Sequence, residues 1–181
     1  MPSETPPQSQ RIEDFVIRPR HSVRERELAR RLRELPEEDR FTFIRTLLDK
    51  DFEVGLVLAS ACLRDKNYFK AILDYGLKNH SSRIELFLKR VIPRLGFRKV
   101  LHLITDKLST EPKAVEHAAY YLWVFRPKND LAAYQGLLKL NDLLRARGLR
   151  TPPSDNSLCF WMAHYLRIMK YRMFKARPKK V

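Results

Sequence analysis

The chain has 181 residues, a mass of 21.5 kDa, 44% hydrophobic residues and a formal net charge of +15. This length and composition predict one folded domain with tails and exclude a chain that is disordered throughout. No apolar run reaches the roughly 18–20 residues of a membrane span, and MPSETPPQSQ lacks the basic and apolar regions of a signal peptide. We therefore expect a soluble intracellular protein in a reducing compartment, cytoplasmic with a nuclear location left open, in which Cys62 and Cys159 are buried thiols.

The chain begins with a segment predicted to be an extended arm, partly disordered, over residues 1–21. Its first ten residues, MPSETPPQSQ, have the polar, proline-containing composition of disordered sequence. The following RIEDFVIRPR carries a small apolar cluster that can lie along the first helices, formed by Ile12, Phe15, Val16 and Ile17. We expect the folded part of the chain to begin at residue 22.

Signals for the start of a helix recur about every 30 residues from that point. They are a capping box from Ser22 to Glu25, Asp51 before Phe52, Ser81 or Ser82 before Ile84, and Pro112 in a first helical turn. A second series of starts lies between these, at Pro36, Asp65, Gly96 and Asp130. Each unit therefore predicts two antiparallel helices of about 12–14 residues.

Apolar residues recur at helical spacing inside these segments, as in Ile84, Phe87, Leu88, Val91 and Ile92. No strand-like alternation or hairpin dipeptide interrupts the series. Residues 22–147 are therefore predicted to form an all-α domain of about four stacked antiparallel helix pairs. A compact multi-helix bundle built from the same hairpins is the alternative, because segment lengths do not separate the two arrangements.

The length of the helix pairs, together with segments such as PKAVEHAAYYLWVF, resembles the HEAT/armadillo-like superfamily of α-solenoids over residues 22–147. The resemblance implies short repeats stacked into an array that presents a concave face or an edge to another macromolecule. Some HEAT-like folds are DNA alkyl-base glycosylases, which hold an extruded lesion against aromatic residues with an acidic residue nearby. That resemblance would place a pocket in YYLWVFRPKND, at Tyr120, Tyr121, Trp123, Arg126 and Asp130.

The sequence contains none of the familiar motifs of catalytic or metal-binding sites. The histidines lie in no HExxH motif, the cysteines form no Cys-x-x-Cys pair, and no serine lies in a G-x-S-x-G elbow. Five scattered glycines do not form a phosphate-binding loop, and Gly55 and Gly136 fall inside helix patterns, where they indicate close helix approach. We therefore expect a non-enzymatic protein with no cofactor, no metal and no small-molecule substrate.

The positive charge is concentrated in the second half of the chain. Residues 1–80 contain 15 Lys and Arg and 14 Asp and Glu, whereas residues 81–181 contain 21 and 7. In a helix-pair array, the turns inside successive pairs lie along one edge. That edge is predicted to carry a basic ridge formed by Arg94, Arg98, Lys99, Arg126 and Lys128, joined by Arg145, Arg147 and Arg150 if the connector folds back.

The C-terminal part is predicted to comprise a proline-rich connector at 148–156, a helix at 157–175 and a basic tail at 176–181. An apolar stripe that includes Trp161, Tyr165 and Met169 suits a helix docked as a cap on the last repeat. The opposite face and the tail mix aromatic with basic residues, and form the leading candidate contact surface: Arg167, Lys170, Tyr171, Phe174, Lys175, Arg177, Lys179 and Lys180.

A surface this basic repels itself unless something acidic meets it. We expect an adaptor or scaffold that binds an acidic protein, with sequence-nonspecific binding of RNA or DNA as the alternative function. An anionic membrane surface is a third possible partner. The sequence does not indicate an oligomeric state.

Overall fold

The computed structural model describes residues 22–151, so the predicted arm at 1–21, the end of the connector, the C-terminal helix and the basic tail lie outside the described residues. Within this range the chain forms eight α-helices and two 3₁₀ turns, with no strand. The helices are α1 Ser22–Leu32, α2 Glu37–Lys50, α3 Phe52–Cys62, α4 Lys66–Asn79, α5 Ile84–Leu95, α6 Phe97–Asp106, α7 Pro112–Phe125 and α8 Leu131–Ala146. The 3₁₀ turns are Ser81–Arg83 and Lys107–Ser109. For residues 22–151, the prediction of an all-α fold is confirmed.

Side-chain caps begin three of the helices at the predicted residues. A side-chain oxygen of Asp51 accepts the Val54 N–H at 3.3 Å, that of Asp65 accepts the Asn67 N–H at 2.8 Å, and that of Asp130 accepts the Ala133 N–H at 3.0 Å. Each bond satisfies a backbone donor that has no partner inside its helix. These caps are local interactions, which is why the sequence reveals them.

The predicted cap at Ser81 or Ser82 is wrong. Both serines belong to a 3₁₀ turn, and α5 begins at Ile84 without a side-chain cap. The chain tightens directly after α4, because the Arg83 N–H donates to the His80 carbonyl at 2.8 Å. The imidazole of His80 stacks on Phe52, with ring centroids 4.6 Å apart, and this contact holds the turn against α3.

The odd-numbered helices lie side by side. Helix α1 packs on α3, α3 on α5, and α5 on α7, while α6 packs on α8. Arg33, just after α1, donates to the Ala61 carbonyl near the end of α3, and Arg94, near the end of α5, donates to the Ser60 carbonyl. The carboxyl ends of α1, α3 and α5 are therefore neighbours, so these three helices run in the same direction.

The most extensive contacts join α2 to α3 and α4 to α5, rather than the helices grouped into one unit by sequence spacing. Glycine permits these approaches. A Cβ atom on Gly55 of α3 would lie 2.8 Å from Leu48 Cδ2 of α2, and one on Gly76 of α4 would lie 2.5 Å from Phe87 Cδ1 of α5. Gly136 of α8 similarly faces Leu101 of α6, with 2.7 Å to Cδ2. Close approach at Gly55 and Gly136 was predicted, whereas Gly76 was not singled out.

One continuous core runs through all eight helices, and its members include Leu32, Ile44, Leu58, Phe69, Phe87, Leu122 and Leu137. The helically spaced residues of α5 predicted to face inward are buried, with Ile92 partly buried against them. Burial of this apolar surface provides the main driving force for packing the helices together. No helix within residues 22–151 is both long and apolar enough to cross a bilayer.

Candidate basic interface

The four turns that follow α1, α3, α5 and α7 are linked by hydrogen bonds into one edge of the protein, which we call the turn edge. Arg33 in the first turn reaches the Ala61 carbonyl beside the second, and Arg94 beside the third reaches the Ser60 carbonyl. Arg98 at the start of α6 then binds Asp130 in the fourth turn. The turn edge consists of the stretches 33–40, 63–67, 94–99 and 126–130.

Three arginines converge on the carboxyl end of α3. Arg33 and Arg94 donate to the Ala61 and Ser60 carbonyls, and Arg40 donates to the Cys62 carbonyl at 2.8 Å. The last carbonyls of a helix have no partner inside it, and α3 has no basic residue in its own last turn. The guanidinium groups therefore replace that missing cap. No local signal reveals these bonds, because the partners are 22 to 34 residues apart.

Glu37 anchors the second turn to α2. Its carboxylate accepts the backbone N–H groups of Arg64 and Asp65, the latter at 2.9 Å. These two hydrogen bonds favour the ionised form and hold the pKa of Glu37 below its usual value. In the first half of the turn edge, four charged side chains thus already bind backbone groups: Arg33, Arg40, Glu37 and Asp65.

Arg98 and Asp130 form a bidentate ion pair between the third and fourth turns. The Arg98 Nε atom lies 2.9 Å from Oδ2 of Asp130, and an η nitrogen lies 2.7 Å from Oδ1. The hydrogen bond from Arg98, followed by that from the Ala133 N–H, holds the pKa of Asp130 below its usual value. The Arg98 side chain is still 67% exposed, so it remains accessible although it is paired.

Arg126 is held against two aromatic rings. Its guanidinium carbon lies 5.2 Å from the centroid of the Trp123 ring and 5.0 Å from that of Tyr134, within the range of cation–π contacts. Trp123 is buried, and its indole N–H donates to the Asn141 side-chain oxygen at 3.4 Å. This contact fixes the position of Arg126 beside the fourth turn.

Lys99 and Lys128 complete the second half of the turn edge. Both side chains are exposed, and no ion pair joins either of them to another residue of the range 22–151. All five residues of the predicted ridge lie in the two stretches that the Arg98–Asp130 ion pair joins, 94–99 and 126–130.

Arg147 lies elsewhere. It follows the last residue of α8 and donates to the Leu108 carbonyl in the second 3₁₀ turn. The 16 residues of α8 separate it from the turn edge by about 24 Å at 1.5 Å per residue. Arg145 lies at the same end of α8 and pairs with Asp142 at 3.5 Å.

The aromatic neighbourhood that would form a lesion pocket is occupied by structural contacts. Trp123 is a buried core residue bonded to Asn141, and Asp130 is bonded both to Arg98 and to the first turn of α8. Tyr120 and Tyr121 lie edge to face, with ring centroids 5.3 Å apart. An extruded base would have to displace several of these contacts.

A second polar cluster, which sequence spacing did not indicate, lies on the side of α2 and α4 away from the turn edge. The Tyr75 hydroxyl donates to Asp49 at 2.6 Å and lies 3.4 Å from Nε2 of His80. Burial, and then the hydrogen bond to Asp49, raise the pKa of Tyr75 to about 12. Tyr75 therefore acts as a hydrogen-bond donor at neutral pH, and it joins α2 to the end of α4.

Some candidate residues lie outside the described residues: Arg167, Lys170, Tyr171, Phe174, Lys175, Arg177, Lys179 and Lys180. Across residues 22–151, no group of three or more His, Cys, Asp or Glu side chains is arranged to hold a metal ion. Comparison with protein-family models, with curated proteins and with solved structures yields no match to this chain.

Proposed function

We propose that this protein is a non-enzymatic helical-repeat adaptor that binds an acidic macromolecule, in the first place an acidic protein segment, through the second half of its turn edge. The supporting observation is that the two halves of the turn edge differ in their balance of basic and acidic residues. Stretches 33–40 and 63–67 contain four basic and five acidic residues, whereas 94–99 and 126–130 contain five basic residues and one acidic residue. Electrostatic attraction to such a patch steers association and depends on ionic strength.

The proposal includes a solenoid arrangement of four helix pairs. The parallel, side-by-side packing of α1, α3 and α5 is what stacking of successive pairs would produce, and the linked turns follow the same direction. In this arrangement the predicted C-terminal helix caps the last pair, and its basic and aromatic face extends the contact surface.

The proposed absence of catalysis is supported by the state of Asp130, the carboxylate that a lesion pocket would use, because it already forms an ion pair. Asp130, the carboxylate nearest the aromatic cluster, is bound to Arg98 with a pKa below its usual value. A carboxylate in that state is a poor general acid or base near neutral pH.

The proposal is tested by charge reversal at Lys99 and Lys128. The variant Lys99→Glu/Lys128→Glu should bind a fluorescent polyglutamate peptide at least tenfold more weakly than the wild type at low salt. Arg64→Glu/Lys66→Glu is the matched control, because it changes the charge equally at exposed residues on the first half of the same edge. Anisotropy titrations measure both affinities, and equal losses in the two variants would reject the second half as the specific contact.

Nucleic acid and membrane are tested as competing partners of the same surface. If phosphates were the partner, the wild type would bind duplex RNA or DNA with a steep linear dependence of log K on log salt, and each lost phosphate contact would lower that slope by about 1. Sedimentation with phosphatidylserine vesicles, against neutral vesicles, tests the membrane. Tighter binding to either of these than to the acidic peptide would overturn the choice of an acidic protein.

A further inference from the structure

A cleft of about 320 Å³ lies between the parallel helices α3 and α5. None of its lining residues belongs to the turn edge. Its apolar lining is formed by Leu56 and Val57 of α3 and by Leu86 of α5. The charged lining residues are Glu53, Lys89 and Arg90. The cleft therefore offers an apolar floor between charges of opposite sign.

The two signs of charge lie at different levels along the cleft. Glu53 is in the first turn of α3, and its carboxylate lies 4.0 Å from Arg83, just before α5. Lys89 and Arg90 lie further along α5, and Arg90 is displaced from the level of Arg83 by about 10 Å at 1.5 Å per residue. Lys89 is paired with Glu85 of the same helix at 2.5 Å, so Arg90 is the cation of this level that has no ion pair among the described residues. An occupant that fits this cleft has basic residues at the end where the helices begin, apolar residues in the middle, and acidic residues toward the turn edge.

The arm that precedes α1 has these residues in this order when it is followed backward from Ser22. Arg20 and Arg18 come first, then the apolar cluster Phe15, Val16 and Ile17, and then the acidic pair Glu13 and Asp14. Because α1 and α3 run in the same direction, Ser22 lies at the end of the row where α3 and α5 also begin. The order of charge in the arm is thus complementary to that in the cleft.

The arm is also long enough to reach the cleft. Neighbouring helix axes are about 8–10 Å apart, so a cleft just beyond α3 lies about 12–15 Å from the axis of α1. Five extended residues, from Ser22 back to Ile17, span about 16 Å. Residues 12–18 can therefore lie along the cleft without any rearrangement of α1.

We propose that residues 12–18 of the same chain occupy the cleft between α3 and α5, with Phe15, Val16 and Ile17 on the apolar floor, Arg18 toward Glu53, and Glu13 and Asp14 toward Lys89 and Arg90. The arm and the helix row then form an intramolecular peptide complex. A foreign peptide with the same order of charged and apolar residues binds only when the arm has left. This inference does not depend on the proposed function of the turn edge.

Disulfide trapping in the full chain tests this inference. Phe15→Cys is combined with Val57→Cys, and separately Ile17→Cys with Leu86→Cys, each in a Cys159→Ser background. Cys62 can stay, because it is buried and its burial raises its thiol pKa, which slows its reaction. The matched control is Phe15→Cys with Lys139→Cys, an exposed residue of α8. Circular dichroism and thermal melting confirm that each variant is folded.

Under a mild oxidant, at least one cleft pair should form an intramolecular disulfide about tenfold or more faster than the control pair, because a docked arm raises the effective concentration of the two thiols. This rate should not depend on protein concentration. A disulfide that forms only between two chains would assign the cleft to a second copy, and equal rates for cleft and control pairs would show that the arm does not dock; either result overturns the proposal.

Charge exchange tests the direction of the arm. Arg90→Glu should slow trapping of the Phe15→Cys/Val57→Cys pair, and adding Glu13→Arg and Asp14→Arg should restore the rate. Trapping that Arg90→Glu leaves unchanged would reject the placement of the acidic pair beside Lys89 and Arg90.

Discussion

Gly76 and Gly136 lie at two helix contacts that differ in the atoms facing the missing side chain. A Cβ atom on Gly76 would meet three ring atoms of Phe87 at 2.5–3.0 Å, whereas one on Gly136 would meet the terminal Cδ2 of Leu101 at 2.7 Å, with the next atom at 3.9 Å. The Phe87 ring is fully buried, so it has little room to move. Leu101 can change rotamer at lower cost.

We therefore predict different outcomes for the same substitution at the two glycines. Alanine gains about 1 kcal/mol over glycine in a helix interior, while overpacking a core costs about 1–3 kcal/mol. Gly76→Ala should lower the free energy of unfolding by about 1–2 kcal/mol, and Gly136→Ala should change it by less than about 0.5 kcal/mol. Urea unfolding followed by circular dichroism measures both, and a stabilised Gly76→Ala variant would contradict the close approach of α4 and α5.

At the scale of the helices, Asp130 connects two elements by capping α8 and pairing with Arg98 of α6. Asparagine is also a good cap, so Asp130→Asn keeps the first function and removes the ion pair. The folded-state pKa of Asp130 is lowered, so the stabilisation is present above the ordinary pKa of about 4 and is lost as pH falls through the lowered pKa.

Asp130→Asn should accordingly lower the melting temperature at pH 7, and the difference from the wild type should shrink as pH falls from about 5 to about 2. Asp142→Asn is the control, because its ion pair with Arg145 spans 3.5 Å between exposed side chains and should contribute little. Removing the Asp130 charge also releases Arg98, so binding of the polyglutamate peptide should strengthen. Unchanged binding would indicate that Arg98 is outside the contact surface.

Helix positions could be predicted from sequence wherever the determining interaction is local. Asp51, Asp65 and Asp130 bond to N–H groups two or three residues away, and their helices begin where predicted. The bond from Arg94 to Ser60 spans 34 residues, and no spacing rule could reveal it. For the same reason the sequence placed Arg98 on the ridge but gave no sign of its ion pair. It joined Arg147 to the ridge only if the connector folds back, and α8 separates this residue from the turn edge.

At the scale of the whole molecule, helices differ in the number of neighbours that hold them. Helix α5 packs on α3, α4, α6 and α7, whereas α1 packs mainly on α3. Local opening free energies in proteins range from near zero to the global unfolding value, and elements with few buried contacts lie at the low end. The stability of the fold is therefore expected to be unevenly distributed along the row.

Hydrogen exchange followed by mass spectrometry should show this difference directly. Amides of α1 are expected to exchange through local opening, at rates at least tenfold faster than those of α5, which should exchange through global unfolding. Adding a low concentration of urea should accelerate α5 more than α1, because global opening exposes more surface. Equal protection of the two helices would indicate that the row opens as one unit.

The three guanidinium groups on the carboxyl end of α3 contribute positive charge to the turn edge, but some of their N–H donors are already engaged. The net charge of this edge therefore overstates the number of donors that a partner can reach. Arg33, Arg40 and Arg94 add to the positive field, but part of each donor set is directed at a backbone carbonyl. Lys99 and Lys128 keep their ammonium donors exposed. A partner that binds individual donors should thus distinguish lysine from arginine on this edge. Replacing Arg40 by lysine would preserve the net charge but lose the planar guanidinium that donates to the Leu35 and Cys62 carbonyls at once.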